Sequence, residues 1–173
     1  MQVAQSMGEP RITIYTFPSE SRGHIVTAVQ NGCWAVHVNN MPDLPTKAAM
    51  IQPGDVGIFY LSNKKRLRGH LCHPFRFEST PSDKEATRIQ HLWEGGPWRL
   101  GFRLTPIGAG KGSVDQDAIE ELRTVRESVD TWHTVFRLSP RCAFNPVKIY
   151  CLDWELIVNA CSPELGMVHL ERS

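Results

Sequence analysis

Five tryptophans stand at 34, 93, 98, 132 and 154 of this 173-residue chain. Indoles are usually core residues, because each carries a large apolar body. Trp93 and Trp98 are placed differently. They bracket Glu94-Gly95-Gly96-Pro97, a loop composition that packs poorly inside a core. Two large aromatics on one loop can wall a flat ligand, and Trp34, directly after a glycine helix stop, can supply its floor. A nucleobase is such a ligand. Stacking on aromatic side chains contributes roughly 1–3 kcal/mol per base. A methyl group on an exocyclic nitrogen adds about 0.8 kcal/mol when fully buried. A neutral methylated base carries no full positive charge, so cation–π attraction is secondary. Hydrogen bonds to the base edge must then come from backbone groups or small polar side chains.

The charge balance is close to even, with 19 Lys and Arg against 18 Asp and Glu. A net charge of +1 neither excludes nor requires a nucleic-acid partner, so placement decides. The densest basic run is Lys64, Lys65, Arg66 and Arg68. On a hairpin tip these would meet phosphates and position a strand without reading its sequence. Arg99 and Arg103, on the outer side of a later strand, would extend that surface.

Chemistry of other kinds finds little support. Five cysteines, an odd number without a secretion signal, read as reduced thiols. His70-Leu71-Cys72-His73 has no second cluster at zinc-site spacing, so neither a metal nor a cofactor is expected. Gly108-Ala109-Gly110-Lys111-Gly112-Ser113 is glycine-rich. A phosphate-binding Walker loop would need Gly where Thr105 stands and Ser or Thr where Gly112 stands. No Cys–His nucleophile signature is present, and Glu120, Glu121, Asp153 and Glu155 read as surface or cap charges. No apolar run approaches the ~20 residues of a membrane span. The polar stretch 1–10 lacks a signal-peptide core and is expected to be a flexible N-terminus. These features predict an intracellular protein with no membrane partner.

The positioning elements follow from periodicity. Residues 11–16 alternate as a half-buried strand. Ser19 or Ser21 caps a short helix with Ile25, Val26 and Val29 on one face, stopped by Gly32. Residues 33–38 form the next strand. A short helix near 48–51 precedes the apolar strand 56–61, which returns through 67–73. Residues 79–85 read as a polar loop. Residues 98–107 alternate, with Trp98, Leu100, Phe102 and Leu104 on one face. Residues 114–129 form the clearest helix, since Ile119, Leu122, Val125 and Val129 keep helical spacing. Residues 148–160 suit either strand or helix. The order predicts one compact α+β domain over 11–173. It has a curved, mostly antiparallel sheet closing toward a barrel, flanked by helices.

The segment from Thr16 to Ser21, followed by a helix and then Gly32-Cys33-Trp34-Ala35, resembles the opening of a YTH domain, a PUA-like fold. The stretch from Asp55 to Asn63, with Leu67-Arg68-Gly69, resembles that family's central hairpin. Trp93 and Trp98 resemble its paired cage tryptophans, and 98–104 its next strand. The resemblance covers roughly 11–129. It implies a nucleic-acid-binding reader of flipped N6-methyladenine, with Trp34, Trp93 and Trp98 as the cage. It also implies base-edge contacts from the Ala35 amide and from Ser19, Glu20 and His24, the last standing where the family usually has Asn or Asp. Partners would be methylated RNA or DNA, and the chain would belong to a larger restriction or RNA-processing protein. The related EVE domains share features such as Gly54-Asp55 before an apolar strand, which implies 5-methylcytosine or another modified cytosine as an alternative. A PUA-like enzyme acting on a modified nucleobase is a further alternative. The Gly-x-Lys-x-x-Glu-x-Arg pattern of ASCH hydrolases is absent, and a non-enzyme is expected.

Overall fold

The computed structural model describes residues 8–37, 43–63, 68–139 and 143–162. Its elements in chain order begin with β1 (Arg11–Ser19), α1 (Arg22–Asn31), β2 (Cys33–Val36), α2 (Leu44–Ala48), β3 (Val56–Asn63) and β4 (Arg68–Phe77). There follow α3 (Asp83–Arg88), β5 (Arg99–Pro106), β6 (Ser113–Asp115), α4 (Gln116–Glu121), α5 (Arg123–Arg126), α6 (Trp132–Val135), β7 (Val147–Tyr150) and α7 (Cys151–Cys161). The seven strands form one sheet in the order β2-β5-β4-β3-β1-β7, with β6 beside β4.

The α+β class and flanking helices match expectation, and barrel closure does not. Among the described residues β2 and β7 are the two ends of the sheet and do not pair, so it stays open. All pairings are antiparallel except β1 with β3, where Tyr15 lies opposite Gly57 and Phe17 opposite Phe59. The crossover through α1, β2 and α2 brings these strands side by side in the same direction, which a tight hairpin could not do.

Strand alternation feeds two cores, one on each face of the sheet. Tyr15, Phe17, Phe59, Phe75, Phe77 and Phe102 point to one face, beneath α1, α2 and α3. Ile14, Ile58, Tyr60, Leu71 and Ile149 point to the other, beneath α4 to α7. Both faces are covered, which is why 56–61 reads as an unbroken apolar run.

Local sequence sets several boundaries. Ser21 caps α1 by accepting from the His24 N–H at 3.1 Å, and Gly32 ends it with φ 66°. The buried side of α1 is Ile25 and Ala28, whereas Val26 is 37% exposed. Ser82 caps α3, so the expected polar loop becomes helical from Asp83. The stretch 148–160, undecided by pattern, falls in strand β7 followed directly by helix α7.

The largest departure is the expected helix over 114–129. Val114 instead pairs with Leu71 in β6, and Leu122 breaks the remainder with an extended backbone. The break has a tertiary cause. Asp153, buried at 2% exposure, accepts the N–H groups of Arg123 and Thr124 at 3.2 and 2.7 Å and the Thr124 hydroxyl, starting a new helix there. Asp153 is therefore an interior cap and not a surface charge. Ile119, Leu122 and Val125 are buried as their spacing suggests, but Val129 is fully exposed.

Near the N-terminus, the Pro10 carbonyl accepts from the Cys151 N–H and Glu9 pairs with Arg123 at 2.6 Å. The rest of the expected flexible segment, residues 1–7, lies outside the described residues.

Candidate nucleobase site

A cleft of about 180 Å³ opens between the end of β1, the start of α1 and the Trp93–Trp98 loop. Its floor is Phe17 and Trp34, 1% and 8% exposed, and half-buried Trp98 stands at its side. The lining is mostly apolar with few polar groups, the make-up of a site for a single flat ring.

The three tryptophans play different parts. Trp34 is packed edge-on against Phe59 at 5.0 Å and against Trp93 at 5.4 Å. Trp93 is 6% exposed and does not line the cleft. It donates from Nε1 to the His24 carbonyl at 3.1 Å and meets Trp98 edge-on at 6.0 Å. Trp93 thus braces the other two from behind and ties their loop to α1. Trp98 donates from Nε1 to the Trp93 carbonyl, and its ring is met edge-on by His24 at 6.4 Å and His37 at 5.8 Å.

Gln90 fixes the loop in place, a role no motif announced. Its side chain accepts from the Trp98 N–H at 2.9 Å and donates to the Trp98 and Ala86 carbonyls. Arg99, next in chain, makes a two-pronged contact with Asp83 at 3.1 and 2.8 Å, and Asp83 also accepts the Leu100 N–H. The Arg99 guanidinium holds the Asp83 carboxyl below its ordinary range. At Gly101 the two elements touch closely, since a Cβ there would lie 2.7 Å from the Ala86 nitrogen. The fit of α3 against β5 therefore sets where Trp98 sits.

The expected base-edge residues divide. Ser19, His24 and Ala35 line the cleft. Ser19 Oγ also accepts from the Ser21 N–H at 3.1 Å. Ala35 falls at an irregularity: β2 pairs Trp34 with Phe102 and Val36 with Arg99, leaving Ala35 without a register partner. The extra residue is on β5, between Arg99 and Phe102, where Leu100 has φ 49°, so β5 bulges opposite Ala35 and the ladder is broken there. Glu20 is exposed and does not line the cleft. Sequence reasoning missed Phe17 and His37 as lining residues. Phe17 was legible only as part of the Phe17-Pro18 break after the strand 11–16, and His37 only as a residue within the strand 33–38.

Of the expected phosphate contacts, Arg99 and Arg103 are described with their side chains. Lys64, Lys65 and Arg66 lie outside the described residues, as does the side chain of Arg68, whose backbone opens β4. Arg99 is engaged by Asp83, and Arg103 lies 3.7 Å from Glu85. Among the described residues no three His, Cys, Asp or Glu side chains converge as metal ligands. Nor is any described helix long and apolar enough to cross a membrane.

No family model and no curated protein matches the chain. Solved structures do. The YTH domain-containing protein Mmi1, solved with RNA, aligns with a TM-score of 0.52 at 13% identity, over 90% of this chain and 87% of that one. The Pho92 YTH domain, solved in complex with m6A, aligns at 0.51 and 14% identity, over 87% of this chain and 83% of that one. The fold is YTH-like. A hypothetical protein from Leishmania major shares it at a TM-score of 0.52 and 12% identity, over 94% of this chain and 98% of that one. At such identities the likeness is one of fold, and within this YTH-like fold the aromatic cleft is built from the chain's own residues.

Proposed function

We propose that the chain reads a methylated nucleobase, held between Trp98 and the Trp34–Phe17 floor, and that the base is N6-methyladenine in RNA or DNA. The observation that carries this reading is the cleft itself: an apolar floor, one half-buried indole at the side, and a strand irregularity at Ala35 beside them. A flipped adenine would stack on Trp98, and its methyl group would enter the apolar end. The Ala35 backbone, Ser19 and His24 would meet the ring edge. Flipping costs a few kcal/mol in a duplex and less in a single strand. Trp93 contributes by bracing, and Lys64, Lys65, Arg66 and Arg68 by phosphate attraction. A reader needs no catalytic group, and we infer an intracellular binding module of a larger restriction or RNA-processing protein.

Fluorescence polarisation at fixed salt tests this. Matched oligonucleotides carry adenine, N6-methyladenine, cytosine or 5-methylcytosine as RNA, single-stranded DNA and duplex DNA. Methyl burial worth about 0.8 kcal/mol corresponds to roughly a fourfold preference, and fuller enclosure gives more. Preference for N6-methyladenine is the expected result. Preference for 5-methylcytosine would move the protein to the EVE-like reading. Equal binding of methylated and unmodified forms in every format would remove the reader reading.

A further inference from the structure

Helix α7 buries one side and leaves the other bare. Trp154, Ile157 and Cys161 pack into the second core, and buried Asp153 caps α5. Leu152, Glu155, Leu156, Asn159 and Ala160 are exposed. They recur at i, i+3, i+4, i+7 and i+8, so they form one continuous stripe along the helix. Leu152 and Leu156 are each 59% exposed, and with Ala160 they make an apolar ridge four residues in step. Among the described residues every other leucine is buried or half-buried. A ridge that leaves two leucines in water on successive turns is a surface with an occupant to find.

We propose that residues 163–173 of this chain turn back along α7 and cover the ridge. They follow the helix directly, at the end where Ala160 stands. Pro163 cannot continue a helix, because it lacks the N–H and its ring clashes with the preceding turn. Gly166 lets the chain reverse. Seven residues then remain, 167–173, and in extended form they span up to about 23 Å. The helix from Cys161 back to Leu152 is only about 14 Å long. The two periods also stay in step. Alternate residues of an extended run stand about 6.6 Å apart, and residues four apart on a helix about 6 Å apart. Val168, Leu170 and Arg172 would thus fall over Ala160, Leu156 and Leu152, and Arg172 would meet the opposite charge of Glu155.

Other occupants fit less well. Two leucines and an alanine are a small part of the ~800 Å² that each partner gives to a stable protein–protein interface, which argues against a second copy. Residues 1–7 approach the other end of α7, since the Pro10 carbonyl accepts from the Cys151 N–H. They hold Val3 and Ala4 between polar neighbours and have no lysine or arginine to meet Glu155. Covering the ridge has a structural consequence. Helix α7 starts α5 through Asp153, so a segment clamped on its outer side would steady both helices. The aromatic cleft is floored from the core on the opposite face of the sheet, so the contact does not depend on which base that cleft takes.

The test uses the full chain, methyl-labelled at leucine and valine. NMR should show nuclear Overhauser contacts from the Leu156 methyls to those of Leu170 and Val168. In urea denaturation Leu156→Ser and Leu170→Ser should each lower the midpoint, and the double variant should fall no further than the lower single. Trp98→Ala should lose methyl-base preference yet keep the Leu156–Leu170 contacts, which separates failure here from failure of the base-reader reading. Losses that add in the double variant would overturn the contact, and so would a Leu156→Ser midpoint equal to that of the unsubstituted chain. Contacts from Leu156 to Val3 would overturn it in favour of residues 1–7. Contacts between labelled and unlabelled chains that vanish on dilution would overturn it in favour of a second copy.

Discussion

The aromatic cleft and a basic cleft of about 210 Å³ on the other side of α1, lined by Arg22, His70, Cys72, His73 and Lys111, share a construction and differ in chemistry. Each sits beside a strand irregularity, an extra β5 residue opposite Ala35 and an extra β4 residue at His73, and each has one wall on a glycine-containing loop. The aromatic cleft is lined by side chains that also belong to the core, so its shape is set by the same packing that holds the fold. The basic cleft shares Ile25 and Cys72 with the core, but its polar lining, Arg22 and Lys111, is exposed and stands outside that packing. Substitution of the buried floor in the first should therefore cost stability, while substitution of half-buried Trp98 at its side or of the exposed Arg22 and Lys111 in the second should cost much less, and the predictions probe that contrast.

The largest effect is expected at Trp34. Truncating this buried indole to alanine should cost ~3–5 kcal/mol of stability, read by chemical denaturation. The same applies to Trp93. Trp98→Ala should instead leave the denaturation midpoint nearly unchanged while lowering affinity for methylated ligand more than tenfold. A Trp98 variant as unstable as Trp34→Ala would erase the distinction between floor and side wall. Gly101→Ala should cost ~1–3 kcal/mol, because the new Cβ must displace the α3 backbone. Smaller still, Gln90→Ala should weaken methylated-ligand binding severalfold by releasing Trp98, with only a minor change in melting temperature. Full affinity in that variant would show that the loop holds its place without the glutamine.

Two weaker effects sharpen the basic side. Lys64→Ala with Lys65→Ala should weaken methylated and unmodified ligands alike and reduce the salt slope by about 0.7–0.9 per lost phosphate contact. An unchanged slope would place the phosphate track elsewhere. The smallest effect concerns acid. Folded-state values of His70 and His73 lie below their ordinary 6.5, so the unfolded chain takes up protons first. Stability from these groups is complete above pH 6.5 and declines as pH falls from there toward the folded values. Thermal melts at pH 7.5 and 5.5 should show this decline.

Much of the site on the aromatic side was legible. Tryptophan is rare and costly to expose, so a pair around Gly95-Gly96-Pro97 stood out, and Ser19 or Ser21 together with Gly32 marked α1 by local cap chemistry alone. Nothing in the spacing separates the three indoles from one another. Burial separates Trp93 from Trp98, and burial depends on what arrives from elsewhere in the chain. The basic cleft was not legible for the same reason. Arg22, His73 and Lys111 are far apart in sequence, while the eye is drawn to the continuous run at 64–68.

The sequence by itself determined the alternation that fills both faces of the sheet, the cap and the glycine stop of α1, and the presence of an aromatic loop. Each rests on neighbours within a few residues, where period and cap chemistry act. Tertiary structure alone decided that the sheet stays open and that Asp153 splits the expected 114–129 helix. It also decided that one helix separates an aromatic cleft from a basic one. These outcomes depend on pairings between distant segments, which no local spacing encodes.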